Sequence, residues 1–492
     1  MEIKLHFKAL IFLLAIDGLT AQNIGDFTSI TPTAQTAQFV IPSSHAFQKI
    51  IEVGDALTEG GTFKVKPDFT AYVPIANSST NGYLGINSEG SALTDGGGGV
   101  TLFEINLSPI TKLWETTKSE NLDFSSVGGT AANCSGTVTS WNTIISCEEV
   151  VVGDIFVPDG YNDAGWNLEV NPFTKAITKH YAMGNMAHEN VTIHTNKRTV
   201  YQGADSNPGY LYKFVAVNEE ILSVGNLYVY SGSKNGTGSW ILLNNGTPAE
   251  QNSTLAQSNA VGATVFNGIE DVEIGPDGMV YFAVKNEGQV YRFSDSDVLE
   301  ASTSTVTMET FVGMASYDIN NGTTITSVPW GNGNDNLAFD ADGNLWVLQD
   351  GGNNYIWVVK NGHTQASPKV EIFGTAPIGS EPTGITFTPD YKYLFMSIMH
   401  PDSGNAANQL DAAGNTVSFS KGTSLVVALT ENLSTLSVKN KVLNEFSMYP
   451  NPVESVGNIT IKGALINNIK LYSILGMKLL DKNYNDLNEI EP

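Results

Sequence analysis

The chain has 492 residues, 41% of them hydrophobic, which is enough for a large buried core and too many for a disordered polymer. Its 25 basic residues stand against 50 acidic ones, and the net charge of −25 repels nucleic acid and anionic membranes while attracting cations. Only two cysteines are present, Cys134 and Cys147. Outside the cytoplasm a disulfide between them is chemically permissible, and closing so short a loop would contribute about 3 kcal/mol.

Taken in chain order, the first element is an export signal. Lys4 and Lys8 lead into the apolar run from Ala9 to Ile16, followed by Leu19-Thr20-Ala21-Gln22. This basic, apolar, small-residue order is that of a secretory signal peptide with cleavage after Ala21, so residues 1–21 are assigned to it. The apolar run is too short to cross a bilayer, and no later stretch is apolar enough, so no membrane span is expected.

From there to about residue 435, Gly, Asn, Ser and Thr punctuate short β-branched and aromatic runs, and no long segment has the period of an amphipathic helix. All-β is the expected class. Three segments are alike: Gly275-Pro276-Asp277-Gly278, Asp340-Ala341-Asp342-Gly343 and Thr388-Pro389-Asp390-Tyr391 each open an apolar strand and each follow another. A weaker copy runs from Val191 to Tyr201. One hairpin type recurring at intervals of tens of residues marks propeller blades, so the expectation over residues 22–435 is a closed β-propeller of about six blades. A β-sandwich with long loops is the competing architecture. Residues 440–492 differ: alternating strands after Tyr449-Pro450-Asn451-Pro452 predict a small C-terminal β-sandwich-like module.

Common catalytic signatures are missing. There is no Gly-x-Ser-x-Gly elbow and no phosphate loop ending in Lys-Ser/Thr. His188-Glu189 with His194 lacks the helical four-residue spacing of a zinc protease. What remains is a set of acidic and imidazole groups at strand ends: Cys147-Glu148-Glu149, His188-Glu189, Glu270-Asp271, Asp335-Asn336, Glu381 and His400. Singly, each reads as a solvated strand end or turn residue. Together they stand at matching places beside the repeated hairpins, and in a propeller those places converge on the central channel. Strand alternation sends Cys147 and Glu149 to one face, with Glu148 joining them only if the strand is bulged.

These residues also carry a resemblance. Asn133-Cys134-Ser135-Gly136, then Trp141-Asn142-Thr143-Ile144-Ile145-Ser146-Cys147-Glu148-Glu149, is similar to the signature of PhoX-type alkaline phosphatases. His188-Glu189, Tyr210-Leu211-Tyr212-Lys213-Phe214, Glu270-Asp271, Asp335-Asn336-Leu337, Glu381-Pro382-Thr383-Gly384 and Phe395 to Pro401 resemble further motifs of that family in its order, over most of residues 70–430. The resemblance implies a propeller phosphatase whose axial site holds ferric iron and calcium. It makes Cys147 the iron-bound thiolate and Glu148, Glu149, Glu189, Glu270, Asp271, Asp335 and Glu381 the carboxylate ligand candidates. Cys147, Glu148, Glu381 and His188 are expected to be catalytic, and Asn133, Asn336 and His400 to face substrate. Oxygen donors suit calcium and ferric iron, and a thiolate suits iron.

Departures from the pattern concern phosphate binding. Ser88 stands in Asn87-Ser88-Glu89 where the family often has His, and Ala132 stands where an Arg is common. The whole chain has only Arg198 and Arg292, neither beside Glu381, so Lys285 or another channel lysine is expected to grip phosphate instead. The C-terminal segment resembles the type IX secretion sorting domain of Bacteroidetes and stops early, so an incomplete copy is expected. The expectation is thus a monomeric phosphatase, secreted or held at the cell surface, acting on small organic phosphate monoesters, with the secretion machinery as partner. A calcium-binding propeller that binds a ligand without catalysis is the alternative, and a propeller hydrolase of lactones or carbohydrates is a third reading.

Overall fold

The computed structural model describes residues 23–91, 97–433, 447–449, 460–472 and 478–490, so the signal-peptide segment lies outside the described residues. Contacts divide the chain into two units, Met1–Ser434 and Thr435–Pro492.

Unit one is all-β and propeller-like. Four of its sheets have four antiparallel strands, and one has nine because Gly236–Leu243 pairs with Val306–Gly313 and fuses two neighbouring sets. Six innermost strands line the axis: β1 (Pro67–Pro74), β2 (Asn133–Val138), β3 (His188–Ile193), β4 (Ile269–Ile274), β5 (Asn334–Phe339) and β6 (Glu381–Phe387). Each packs beside the next, and β6 packs on β1, so the circuit is closed. The N-terminal strand His45–Glu52 pairs with Thr423–Leu429 in the sheet of β6, tying the two ends of the unit together.

Burial explains the closure. One apolar cluster fills each gap between successive sheets, such as Phe69, Val100 and Leu168 between the sheets of β1 and β2, or Trp346, Phe373 and Leu394 between those of β5 and β6. A sheet so placed is covered on both faces, and its strands read as nearly continuous apolar runs, as in Val280–Val284 and Leu345–Gln349. The repeated turns fall in equivalent places: Asp277-Gly278, Asp342-Gly343 and Asp390-Tyr391 each join an innermost strand to the second strand of its sheet. Arg198 sits in the corresponding turn after β3.

The second unit contains a three-stranded antiparallel sheet, Ser447–Tyr449, Thr460–Tyr472 and Lys478–Ile490. It is a single sheet among the described residues, where the sequence suggested a sandwich-like module. No helix among the described residues is long and apolar enough to cross a membrane.

Candidate metal centre

All six innermost strands carry the same irregularity. At Asp68-Phe69, Cys134-Ser135, Glu189-Asn190, Glu270-Asp271, Asp335-Asn336 and Gly384-Ile385, two residues of the inner strand lie opposite one of its partner. A bulge of this kind breaks strand alternation and re-aims the extra side chain. Here the first bulge residue of β1 to β5 lines an axial cavity of about 200 Å³: Asp68, Cys134, Glu189, Glu270 and Asp335. In β6 the first bulge residue is Gly384, in the left-handed region at φ +51°, where a Cβ would run into the Phe69 backbone. The carboxylate of that sheet comes instead from Glu381 at the mouth of the strand.

A second ring lies above the first. The residue following the second strand of each sheet is, in order, Glu89, Glu149, Asp205, Lys285, Asp350 and His400. The first five are pinned by the backbone to the residue before the inner strand, as in Glu149 N to Ala132 O (2.9 Å), Lys285 N to Gly268 O (2.9 Å) and Asp350 N to Gly333 O (2.7 Å). All of these but Asp205 line the cavity, together with Lys66 and Met399.

In β2 to β5 the second residue of the bulge is polar and knits the ring, whereas Phe69 of β1 and Ile385 of β6 join the apolar clusters between sheets. Asp271 accepts hydrogen bonds from Asn190 Nδ2 and from Leu337 N (2.7 Å), joining β3, β4 and β5. Asn336 donates to Ser135 Oγ (3.3 Å) and accepts from Gly384 N (2.5 Å), joining β2, β5 and β6.

Eight carboxylates and one thiol therefore converge on a cavity with two lysines and one histidine. Three groups have ligand atoms within 4.8 Å of one another: Cys134–Glu149–Glu189, Glu189–Glu270–Asp335 and Asp335–Asp350–Glu381. Glu189 and Asp335 are shared, so the groups form a continuous arc. Burial and mutual repulsion push Asp68, Glu149, Glu189 and Glu270 well above the usual carboxylate range. Burial pushes Asp335 up to about 6 and Glu381 up to about 8. Burial works to raise Asp350 too, but Lys285, the hydrogen bond with Glu381 and the charge of His400 together hold that carboxyl low. Burial, then Glu189 and Glu149, raises the Cys134 thiol. Asp68 Oδ1 and Glu270 Oε1 are buried without a hydrogen-bond partner. Packed carboxylates of this kind, with orphaned oxygens, fit bound cations, and the donor set has two characters: one group with a sulfur and two of oxygen only.

At the mouth, His400 Nε2 lies 2.9 Å from Glu381 Oε1 and Nδ1 lies 3.1 Å from Gly379 O. Both partners accept, so both ring nitrogens donate, and the hydrogen bond to Glu381 raises His400 to about 9.

Of the residues singled out from sequence, Glu149, Glu189, Glu270, Asp335, Glu381 and His400 come together at the cavity. The others do not. Cys147 lies on the second strand, opposite the Cys134 bulge, and its side chain is fully buried in the core between the sheets of β2 and β3. Cys134 takes the place at the cavity, because inner-strand bulges and strand ends face the axis whereas second-strand side chains face the neighbouring sheets. The two cysteines are both free. Glu148 is consumed by Thr130 Oγ1 (2.8 Å), Gly165 N (2.9 Å), Trp166 N (3.0 Å) and Lys179 Nζ (3.5 Å). His188 bridges Asn167 Nδ2 (3.2 Å) and Gly184 O (3.0 Å) away from the cavity, and burial lowers it to about 4. Asn133 accepts from Thr130 Oγ1 (3.0 Å) and donates to Ser146 Oγ (2.9 Å). Asn133, Asp271 and Asn336 all belong to the ring's internal scaffold rather than the cavity wall.

Sequence reading did not assign Asp68, Glu89, Cys134 and Asp350 to the cavity. Aligning the hairpins on their turns would have revealed them, since each occupies the same offset as a residue that was found. Arg198 donates to Ala216 O (2.8 Å), and Arg292 pairs with Glu309 (2.6 Å) against Phe311, so neither lines the cavity.

An all-β, propeller-like protein with an axial carboxylate centre is the class that fold and cavity define. The chain belongs to the PhoX alkaline phosphatase family, whose family model matches residues 106–402. Residues 447–491 match the secretion system C-terminal sorting domain, which implies export to the cell surface or beyond by the type IX route. Among solved structures the chain is similar to Pseudomonas fluorescens PhoX in complex with vanadate, a transition state analogue, at 20% identity over 83% of this chain and 98% of that one, with a TM-score of 0.65. That likeness establishes the fold. A catalytically inactive virginiamycin B lyase from Staphylococcus aureus with quinupristin is far more distant, at 13% identity over 78% and 99% and a TM-score of 0.38. Comparison with curated proteins returns no match.

Proposed function

We propose that this chain is an exported, metal-dependent phosphatase that hydrolyses phosphate monoesters in the axial cavity of a six-bladed propeller spanning residues 22–435, after removal of residues 1–21. The observation that carries the reading is the arc of three ligand groups in a cavity with eight carboxylates. Cys134, Glu149 and Glu189 would hold iron, and Glu189, Glu270, Asp335, Asp350 and Glu381 would hold calcium. When bound, such ions neutralise phosphoryl oxygens, lower the pKa of an attacking water and stabilise the leaving alkoxide.

The chain's own residues do the rest. Small organic phosphates are the expected substrates, with the phosphoryl group at the cavity of about 200 Å³ and the ester's organic part toward solvent. His400, half exposed at the rim, holds a proton at Nε2 that is positioned to reach a leaving oxygen once Glu381 is engaged elsewhere. Asp271 and Asn336 orient the bulges and so fix the spacing between ligands.

One observation favours the non-catalytic calcium-binding reading: no arginine lines the cavity among the described residues. Purified protein loaded with calcium and iron and offered a panel of phosphate monoesters separates the two. Chelator-sensitive phosphate release supports the phosphatase. Calcium binding with no release from any ester supports the binding module.

A further inference from the structure

The Lys285 ammonium sits among the cavity's ligands. Its Nζ lies 2.8 Å from Asp350 Oδ2, 3.5 Å from Glu270 Oε1 and 3.6 Å from Asp335 Oδ2. Those three carboxylates belong to two adjoining ligand groups, Glu189–Glu270–Asp335 and Asp335–Asp350–Glu381. Within the second ring it is the one lysine, at the offset where four other sheets place Glu89, Glu149, Asp205 and Asp350.

Its backbone cannot follow a change in the cavity. The amide donates to Gly268 O (2.9 Å), and its carbonyl accepts from Gly333 N (3.0 Å), anchoring it to two inner-strand approaches at once. The side chain is 27% exposed and points from a fixed base into the mouth, so its flexible stem is the part free to move.

We infer that Lys285 is a displaceable counter-ion: it neutralises Glu270, Asp335 and Asp350 in the metal-free protein, and metal ions release it to hold a phosphoryl oxygen of the substrate. The inference rests on the metal-phosphatase reading and extends it by naming the group that grips phosphate. Competition between cations drives the exchange. A cation bound among the same oxygens repels an ammonium a few ångströms away, and the ammonium's ion pairs are lost to the metal. The nearest unclaimed anion in the mouth is then the phosphate ester. Lysine suits this exchange because it is a compact charge on a flexible stem, whereas a guanidinium fork would hold two carboxylate oxygens in fixed geometry.

The test is Lys285→Met in the full chain, with Lys234→Met as control, since Lys234 pairs with Glu287 (2.6 Å) away from the cavity. Calcium binding is measured by calorimetry at pH 9, where protons compete least. Competition requires Lys285→Met to bind calcium about tenfold more tightly than wild type. Metal-loaded Lys285→Met should bind inorganic phosphate at least about tenfold more weakly. Thermal unfolding of the metal-free variant checks that it folds, and Lys285→Gln replaces it if it does not. Unchanged or weaker calcium binding overturns the counter-ion role. Tighter calcium binding with unchanged phosphate affinity overturns the phosphate grip. Failure of wild type itself to bind calcium strikes the metal-phosphatase reading instead, and is thereby distinguished.

Discussion

In the bulges of β2 to β5 two neighbouring residues have opposite duties. Glu270 and Asp271 are both fully buried acids, yet Glu270 faces the cavity with an oxygen that receives no hydrogen bond and only the Lys285 ammonium at 3.5 Å, while Asp271 is satisfied by Asn190 and the Leu337 amide. The same holds for Cys134 beside Ser135 and for Asp335 beside Asn336. One extra residue in a strand thus supplies a ligand and the hydrogen bond that fixes its place. Chemical identity does not separate the two belts; position in the bulge does.

The largest effects should therefore divide along that line. Asp335→Asn or Glu381→Gln should lower phosphate release by about a thousandfold or more while the protein unfolds near the wild-type temperature, because each removes a ligand charge and no packed group. Asp271→Ala should do the reverse in kind: it strands the Asn190 amide and the Leu337 N–H in the core, and calorimetry should show a loss of about 3 kcal/mol or more.

The two cysteines, on adjacent strands of one sheet, divide in the same way. Cys134→Ser should strip iron and most activity, whereas Cys147→Ser, buried among Ile145, Val191 and Tyr212, should retain metal and lose only stability. Metal content of the two purified variants decides it.

The cavity belt should also make the metal-free protein sensitive to pH. Glu381 is raised to about 8 and His400 to about 9, so the folded state binds more protons than the unfolded chain above neutrality. Stability of the metal-free protein should fall as pH rises from about 6.5 to 8.5, by about 1.4 kcal/mol per pH unit for each extra proton held. Below about 6.5, His45 and His188, lowered to about 4, act in the opposite sense and blunt the trend. Saturating calcium should flatten the upper part of the curve, as followed by chemical denaturation. The smallest effect belongs to Arg198→Ala, in a turn at the far end of β3, which should leave turnover unchanged within about twofold.

Much of this architecture is legible in the sequence because turns announce themselves: Asp277-Gly278 and Asp342-Gly343 each stand between two short apolar runs, and that recurrence survives any local irregularity. Half of the site is legible for the same reason, since Glu149, Asp335 and His400 stand at fixed offsets from those turns. Bulges are what period-two reasoning misses. Alternation along Ile144–Glu148 points Cys147 toward the axis, but the axis is lined by the strand next door, where the bulge turns Cys134 inward. Asp68 is hidden likewise, beside a proline and ahead of a run that reads as plain core.

The central claim is that the first residues of the bulges hold metal ions, and anomalous diffraction from crystals of the metal-loaded protein, recorded across the iron edge, tests it most directly. The account requires an iron peak within bonding distance of Cys134 Sγ and lighter-metal density among Asp335, Asp350 and Glu381. Iron beside Cys147, or a metal-loaded protein whose axial cavity shows no anomalous signal, would contradict it.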